Sequence, residues 1–243
     1  MHAGYATFSC LFCMTLIAAF PAAARDAHFV APDQSRLGDV LPDPPAQDAE
    51  ATRAELAELH RLESARTEAQ IAAARFDDEN ENIFVFKSVL GEGFAEENLP
   101  LVAALGARVR NDEGVDTAAA KAAFHRVRPY SLDRTLHPVC KTKAKDDAYP
   151  SGHATSGYLL ALTLIDMAPE KREELLVRAD DYAHNRLICG VHYASDLEAG
   201  KLAAYALHAQ MELNAQYRSE LSAARAELRE KLGFDKAAPS GAR

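Results

Sequence analysis

Apolar residues recur at helical spacing along most of this chain, and nowhere do they alternate as a half-buried strand requires. From residue 49 to 75 the composition is rich in Ala, Leu, Glu and Arg, and Leu56, Leu59, Leu62 and Ala69 mark one face of a long amphipathic helix. The same period predicts helices over 83–90, 100–111, 117–127, 154–167, 169–188 and 196–232. No alternating run of β-branched residues occurs, and no Asn-Gly or Asp-Gly pair joins two apolar stretches. The expected fold is therefore all-α, a single helical domain over residues 49–233, and 243 residues suffice for one buried core. Ahead of it, residues 25–48 carry Pro32, Pro42, Pro44 and Pro45 among Asp and Gln without periodicity, and read as an extended proline-rich arm. Residues 234–243 read as a frayed tail.

The one long apolar stretch, residues 11–20, is too short to cross a bilayer. Followed by Pro21 and then Ala22, Ala23 and Ala24, it reads as a signal peptide over residues 1–24, although no Lys or Arg precedes it. A periplasmic or secreted protein without a membrane span is the consequence. The chain has 27 basic and 36 acidic residues, a net charge of −9, and none of these lies in residues 1–24. Such a field repels polyanions, and no basic run with interleaved aromatics offsets it, which excludes nucleic-acid polymers as partners. A small anionic substrate must then be held by a local basic cluster. Of the four cysteines, Cys10 and Cys13 leave with the leader. Cys140 and Cys189 remain as a lone pair bound for an oxidising compartment and read as a disulfide. Two separate buried thiols are the alternative, because sequence does not bring their Cα atoms within bonding range.

Three clusters carry chemistry. In the first, Lys121 is followed after six residues by Arg128 and Pro129. A seven-residue spacing puts both cations on one face of the 117–127 helix, and the proline stops that helix. In the second, Pro150, Ser151, Gly152 and His153 precede an apolar helix, whose free N–H groups and positive dipole end suit an anion. His153 in the first turn is placed to protonate a leaving oxygen. In the third, Arg186 is followed by His192 and then, four residues on, by Asp196. On a helical turn that carboxylate accepts a hydrogen bond from one imidazole nitrogen and leaves the other as a nucleophile. Arg186 adds a planar fork suited to a tetrahedral oxyanion. Taken singly, each cluster has a bland explanation: a solvated basic face, a plain serine cap, a surface helix pair. All three in this order are far less common than any one alone.

These residues are similar to the signature of the type 2 phosphatidic acid phosphatase superfamily, which includes vanadium-dependent haloperoxidases. Within it the chain resembles the class A bacterial non-specific acid phosphatases. The resemblance extends to the run Leu41, Pro42, Asp43, Pro44, Pro45, to the run from Leu187 to Gly190 and to a cysteine at the place of Cys140, and it covers most of residues 38–232. It implies that His192 attacks phosphorus, Asp196 orients it, and His153 protonates the leaving alcohol and then activates water. Lys121, Arg128 and Arg186, with Ser151 and the Gly152 amide, would hold the phosphate oxygens. No metal or other cofactor is implied, and vanadate is expected to inhibit. The implied activity is hydrolysis of small phosphomonoesters through a phosphohistidine, with possible phosphotransfer to an alcohol and a possible homodimer. The family usually has Ser where this chain has Asn185, whose amide is expected to donate to phosphate and to alter affinity or preference. Ala154 replaces a common Thr. A vanadate-dependent haloperoxidase and a non-catalytic phosphate-binding protein are the competing readings. A lipid phosphatase of the usual membrane-threading form lacks the spans it needs.

Overall fold

Two short turns, α1 (Pro32–Ser35) and α2 (Leu37–Val40), begin the fold, which a computed structural model describes for Met1 and residues 26–235. There follow α3 (Glu50–Ala65), α4 (Glu68–Glu79), a 3-10 turn at Ile83–Phe86 running into α5 (Lys87–Leu90), and α6 (Pro100–Phe124). The chain continues through α7 (Pro129–Leu132), α8 (Gly152–Met167), a second 3-10 turn at Pro169–Lys171, α9 (Arg172–Ile188), α10 (Ala194–Met211) and α11 (Ala215–Leu232). Among the described residues there is no strand, and no helix is long and apolar enough to cross a membrane.

The sequence of α8 dictates its place. Its side chains are apolar or small nearly all the way round, so it must be covered on every side. α6, α9, α10 and α11 supply that cover, and Leu159, Leu160 and Leu164 are sealed from solvent together with Tyr182, Leu207 and Tyr217. The start of α8 is fixed by Ser151, whose Oγ accepts the Ala154 N–H at 3.3 Å. α10 crosses this start closely: a Cβ at Gly200 would stand 2.8 Å from the Ser151 carbonyl oxygen, so only glycine permits the approach. The Ser151 N–H donates to the Asp196 carbonyl at 2.9 Å. Two motifs more than 40 residues apart are thereby held against each other.

Several boundaries differ from the sequence expectation, each for a visible reason. The 49–75 helix is broken at Arg66, because Thr67 and Gln70 exchange backbone and side-chain hydrogen bonds in a capping box that starts α4. The helices expected at 100–111 and 117–127 are one, α6. Of the polar residues between them, Asp112 and Asp116 are buried against residues 28–30 and Ser35, and Glu113 is buried between Arg110 and Thr117 of the same helix, so none forms a loop. Residues 25–48 are not an extended arm over their described part. Phe29, Val30, Leu37 and Leu41 enter the core, and Asp112 accepts the N–H groups of His28, Phe29 and Val30 at 2.6, 2.6 and 3.0 Å. The 196–232 helix is divided where Asn214 accepts the Gln216 and Tyr217 N–H groups and opens α11. Phe234, expected in a frayed tail, packs half-buried on the core, and Arg229 donates to Asp235. The remainder of that tail, 236–243, and the leader, apart from Met1, lie outside the described residues.

Candidate active site

The starts of α8 and α10 and the C-terminal end of α6 surround a cavity of about 420 Å³ lined by both His153 and His192. His192 does not sit on a helical turn as expected. It lies in the lead-in to α10, and Asp196, in the first turn, reaches back to it. Asp196 Oδ2 accepts the Tyr193 N–H at 2.9 Å and lies 3.1 Å from His192 Nδ1. On the other side of the ring, Arg128 Nη1 lies 2.8 Å from His192 Nε2. A guanidinium can only donate, so Nε2 is the bare nitrogen and Nδ1 carries the hydrogen that Asp196 accepts. The tautomer follows from the partners. Burial, then Arg128, Lys121 and Arg186, hold the His192 imidazole well below the ordinary histidine range.

His153 lies with Nδ1 3.5 Å from Glu81 Oε1 and Nε2 4.0 Å from Asp78 Oδ1, its ring stacked on Tyr182. Nε2 is buried without a hydrogen-bond partner. Burial, then Arg186 and Arg110, push its proton affinity down as well.

The cations reach the cavity by a different route from the one expected. α6 ends at Phe124, His125 takes a left-handed conformation (φ 49°), and Arg128 is the cap residue before α7. Lys121 and Arg128 therefore meet through a turn and not on one helix face. Asp147 gathers them: its carbonyl accepts from Lys121 Nζ at 2.7 Å, and its Oδ1 accepts from Arg128 Nε at 2.8 Å. Lys121 also donates to the Pro150 carbonyl. Burial and the neighbouring Arg128 bring Lys121 down to about 8. Arg186 donates to Asp78 Oδ1 at 2.8 Å, while its Nε is buried with no partner. Gly152 lines the cavity, and a Cβ there would come 3.2 Å from Glu113 Oε1. Ser151 is fully buried behind it as the α8 cap.

Asn185 is a correction. Its Nδ2 donates to Asp77 Oδ2 at 2.7 Å, on a carboxylate that Arg178 also holds, and it does not line the cavity. The seventeen residues of α9 place Arg186 inward and rotate its neighbour away. Cys140 and Cys189 are joined, with Cα atoms 5.2 Å apart, which ties the segment after α7 to the end of α9.

Sequence reasoning missed Arg126. It is buried, donates to Asp196 Oδ1 at 2.6 Å, to Ser195 Oγ at 2.7 Å and to Glu55 Oε2 at 2.9 Å, and lies 4.0 Å over the Tyr193 ring. Glu55 in turn accepts the Ser195 N–H. The available signal was an arginine two residues before Arg128, in a segment that ends a helix. Also missed was Glu113, a buried carboxylate on the cavity wall between Thr117 and Arg110, which burial pushes up to about 7.

Residues 100–219, which contain all three clusters, match the PAP2 superfamily. The non-specific acid phosphatase of Salmonella typhi is 30% identical over 226 residues, covering 89% of this chain and 90% of that protein. Its Salmonella typhimurium counterpart is 36% identical over 120 residues, and the match spans only 47% of that relative's length and 47% of this chain. Among solved structures, a transmembrane PAP2 type phosphatidylglycerolphosphate phosphatase from Bacillus subtilis superposes with a TM-score of 0.48 at 17% identity, covering 73% of this chain and 89% of that one. Aligned nearly end to end with the Salmonella typhi enzyme, the chain belongs to the PAP2 superfamily, together with the bacterial non-specific acid phosphatases.

Proposed function

We propose that this protein is an acid phosphatase that hydrolyses small phosphomonoesters through a phosphohistidine on His192, with His153 as general acid and then general base. The observation that carries this reading is the bare Nε2 of His192, with Nδ1 tied to Asp196 and a guanidinium waiting at Nε2. When a phosphate group enters, Arg128 turns its Nη1 from Nε2 to a phosphate oxygen and frees the lone pair. Nε2 then bonds to phosphorus as the ester P–O bond breaks, and the departing oxygen takes the proton from His153. Water attacks the phosphorus of the intermediate, His153 removes its proton, the N–P bond breaks, and inorganic phosphate leaves. An alcohol in the place of water gives phosphotransfer by the same steps.

Phosphoryl transfer asks mainly for positioning and charge neutralisation. Lys121, Arg128 and Arg186, with the Gly152 N–H at the positive end of α8, supply both without calling on a metal ion. The acid optimum follows from the two imidazoles. His192 has to be neutral, and its depressed proton affinity keeps it so in mild acid. His153 has to be protonated, which acid favours, and a bound phosphate dianion raises its affinity by offsetting Arg186 and Arg110. The disulfide between Cys140 and Cys189 supports a periplasmic or secreted location.

Hydrolysis of p-nitrophenyl phosphate at mildly acidic pH in excess chelator tests the reading. Turnover is expected to persist and vanadate to inhibit it. Loss of turnover on chelation contradicts the metal-independent mechanism.

A further inference from the structure

α8 and α10 lie side by side and run the same way: Ser151 meets Asp196 and Gly200 near their starts, and Asp166 meets His208 near their ends. The starts carry the two histidines of the cavity. The sixteen residues of α8 put about 20 Å between those histidines and the far end of the pair. There a second group of ligand-type side chains stands that the phosphatase reading leaves without a role. Asp166 lies one residue before the end of α8, His208 in the last turn of α10 and Glu212 just past it, so His208 and Glu212 share one face at a spacing of one turn. One donor atom from each of the three lies within 4.8 Å of the other two, and His208 Nε2 is 2.7 Å from Asp166 Oδ2.

Glu212 separates this group from an ordinary ion pair. Its Oε1 is sealed from solvent and has no hydrogen-bond partner, which is unfavourable for a carboxylate unless a cation or an ordered water meets it. The two arginines that reach this corner do not supply the cation. Arg225 donates to the main-chain carbonyl of Asp166, and Arg218 donates to that of Glu212 at 2.8 Å. Among the described residues, neither carboxylate is paired with a Lys or Arg side chain. The corner is also open to entry, because the side chains of His208 and Asp166 are 17% and 28% exposed.

We propose that Asp166, His208 and Glu212 bind a divalent first-row transition ion, zinc above all, which clamps the end of α8 to the end of α10. One imidazole nitrogen and two carboxylate oxygens are donors that zinc takes readily, with water in the fourth position. Tetrahedral donors about 2.0–2.2 Å from zinc stand roughly 3.4 Å apart. Small side-chain rotations reach that geometry: the contact between His208 and Asp166 opens as the ion takes the place of their shared hydrogen, and Glu212 Oε1 gains the partner it lacks. The ion sits remote from the phosphate nest and takes no part in turnover. Chelation therefore leaves hydrolysis intact and removes a tie from the fold.

The test uses the untagged protein, stripped with chelator, dialysed free of it and titrated with zinc chloride by calorimetry. One equivalent is expected to bind, and zinc at a hundredfold excess over Kd to raise the melting temperature by about 5 °C or more. His208→Gln and Glu212→Gln should each weaken binding by at least about tenfold, since even the outer partners of a metal ligand are worth that much. Each should also abolish the thermal shift, with turnover of p-nitrophenyl phosphate at room temperature unchanged. Cobalt in place of zinc should give a visible absorption band that His208→Gln alters. A His60→Gln, His137→Gln variant, which removes the histidines beside Glu63 and Asp133, should bind zinc as the wild type does. A wild type that binds no zinc, equal affinity in His208→Gln and Glu212→Gln, or loss of binding only in the His60, His137 variant overturns the site. If His208→Gln fails to fold, Glu212→Gln decides, because its buried oxygen has no hydrogen bond to lose.

Discussion

Asp196, beneath the cavity, and Asp116, where α1 and α2 dock on α6, are both sealed from solvent. Asp196 has a donor on each oxygen: Arg126 on Oδ1, and the Tyr193 N–H with His192 Nδ1–H on Oδ2. Asp116 has only the Ser35 hydroxyl on Oδ1, its Oδ2 has no partner, and the charges that bear on it are the carboxylates Asp112 and Asp33. Burial raises both. Asp116 goes up to about 7, while Arg126 pulls the more deeply buried Asp196 back to about 6. A buried carboxylate with a matched cation is an oriented anion, whereas one without is a group ready to take a proton. The first arrangement suits chemistry, and the second makes the attachment of residues 26–41 sensitive to pH.

The strongest blow to this contrast is Asp196→Asn. An amide in that place no longer requires a hydrogen on Nδ1, the imidazole is free to carry it on Nε2, and kcat is expected to fall by about 10³- to 10⁴-fold with the fold retained, as read by circular dichroism. A loss under tenfold would mean that the carboxylate does not set the tautomer. Arg126→Ala makes Asp196 resemble Asp116 by stripping its cation. Here kcat should drop by about 10- to 100-fold and the acid limb of the pH profile should shift upward as Asp196 becomes easier to protonate, with Arg126→Lys recovering part of both. An unmoved pH profile with only a lower melting temperature would reduce Arg126 to a structural role.

The smallest effect is on stability. The folded-state pKa of Asp116 is raised above its unfolded value of 3.8, so its protonated form stabilises the fold fully below that value, and the contribution is lost as pH rises through about 7. Asp116→Asn lacks this loss. The melting temperature of the variant relative to wild type should therefore climb by several degrees between pH 4 and 8 and level off above. A constant difference across that range would show that Asp116 does not titrate there.

The same contrast explains how far the sequence could be read. The start of α8 was legible because Pro150, Ser151 and Gly152 announce it and an unbroken apolar run follows. The two histidines and the three cations of the motifs were legible because residue type and spacing alone single them out, and all five line one cavity. What was hidden depends on partners distant in the chain. Asp112, Glu113 and Gly114 look like a loop, yet they continue α6, where Asp112 takes three backbone N–H groups from residues 28–30. Arg126 looks like any surface arginine until Glu55, Asp196 and Tyr193 are seen to close round it. Asn185 borders an invited guess about phosphate, and only the position of Asp77 shows where its amide goes.

The central claim is that the bare nitrogen of His192 takes the phosphoryl group. Rapid acid-free quenching of the enzyme with ³²P-labelled substrate, followed by peptide mapping under alkaline conditions, tests it directly. The account predicts an acid-labile, alkali-stable label on the peptide containing His192, absent from His192→Ala. Label on another residue, or turnover in His192→Ala at the wild-type rate, would contradict it.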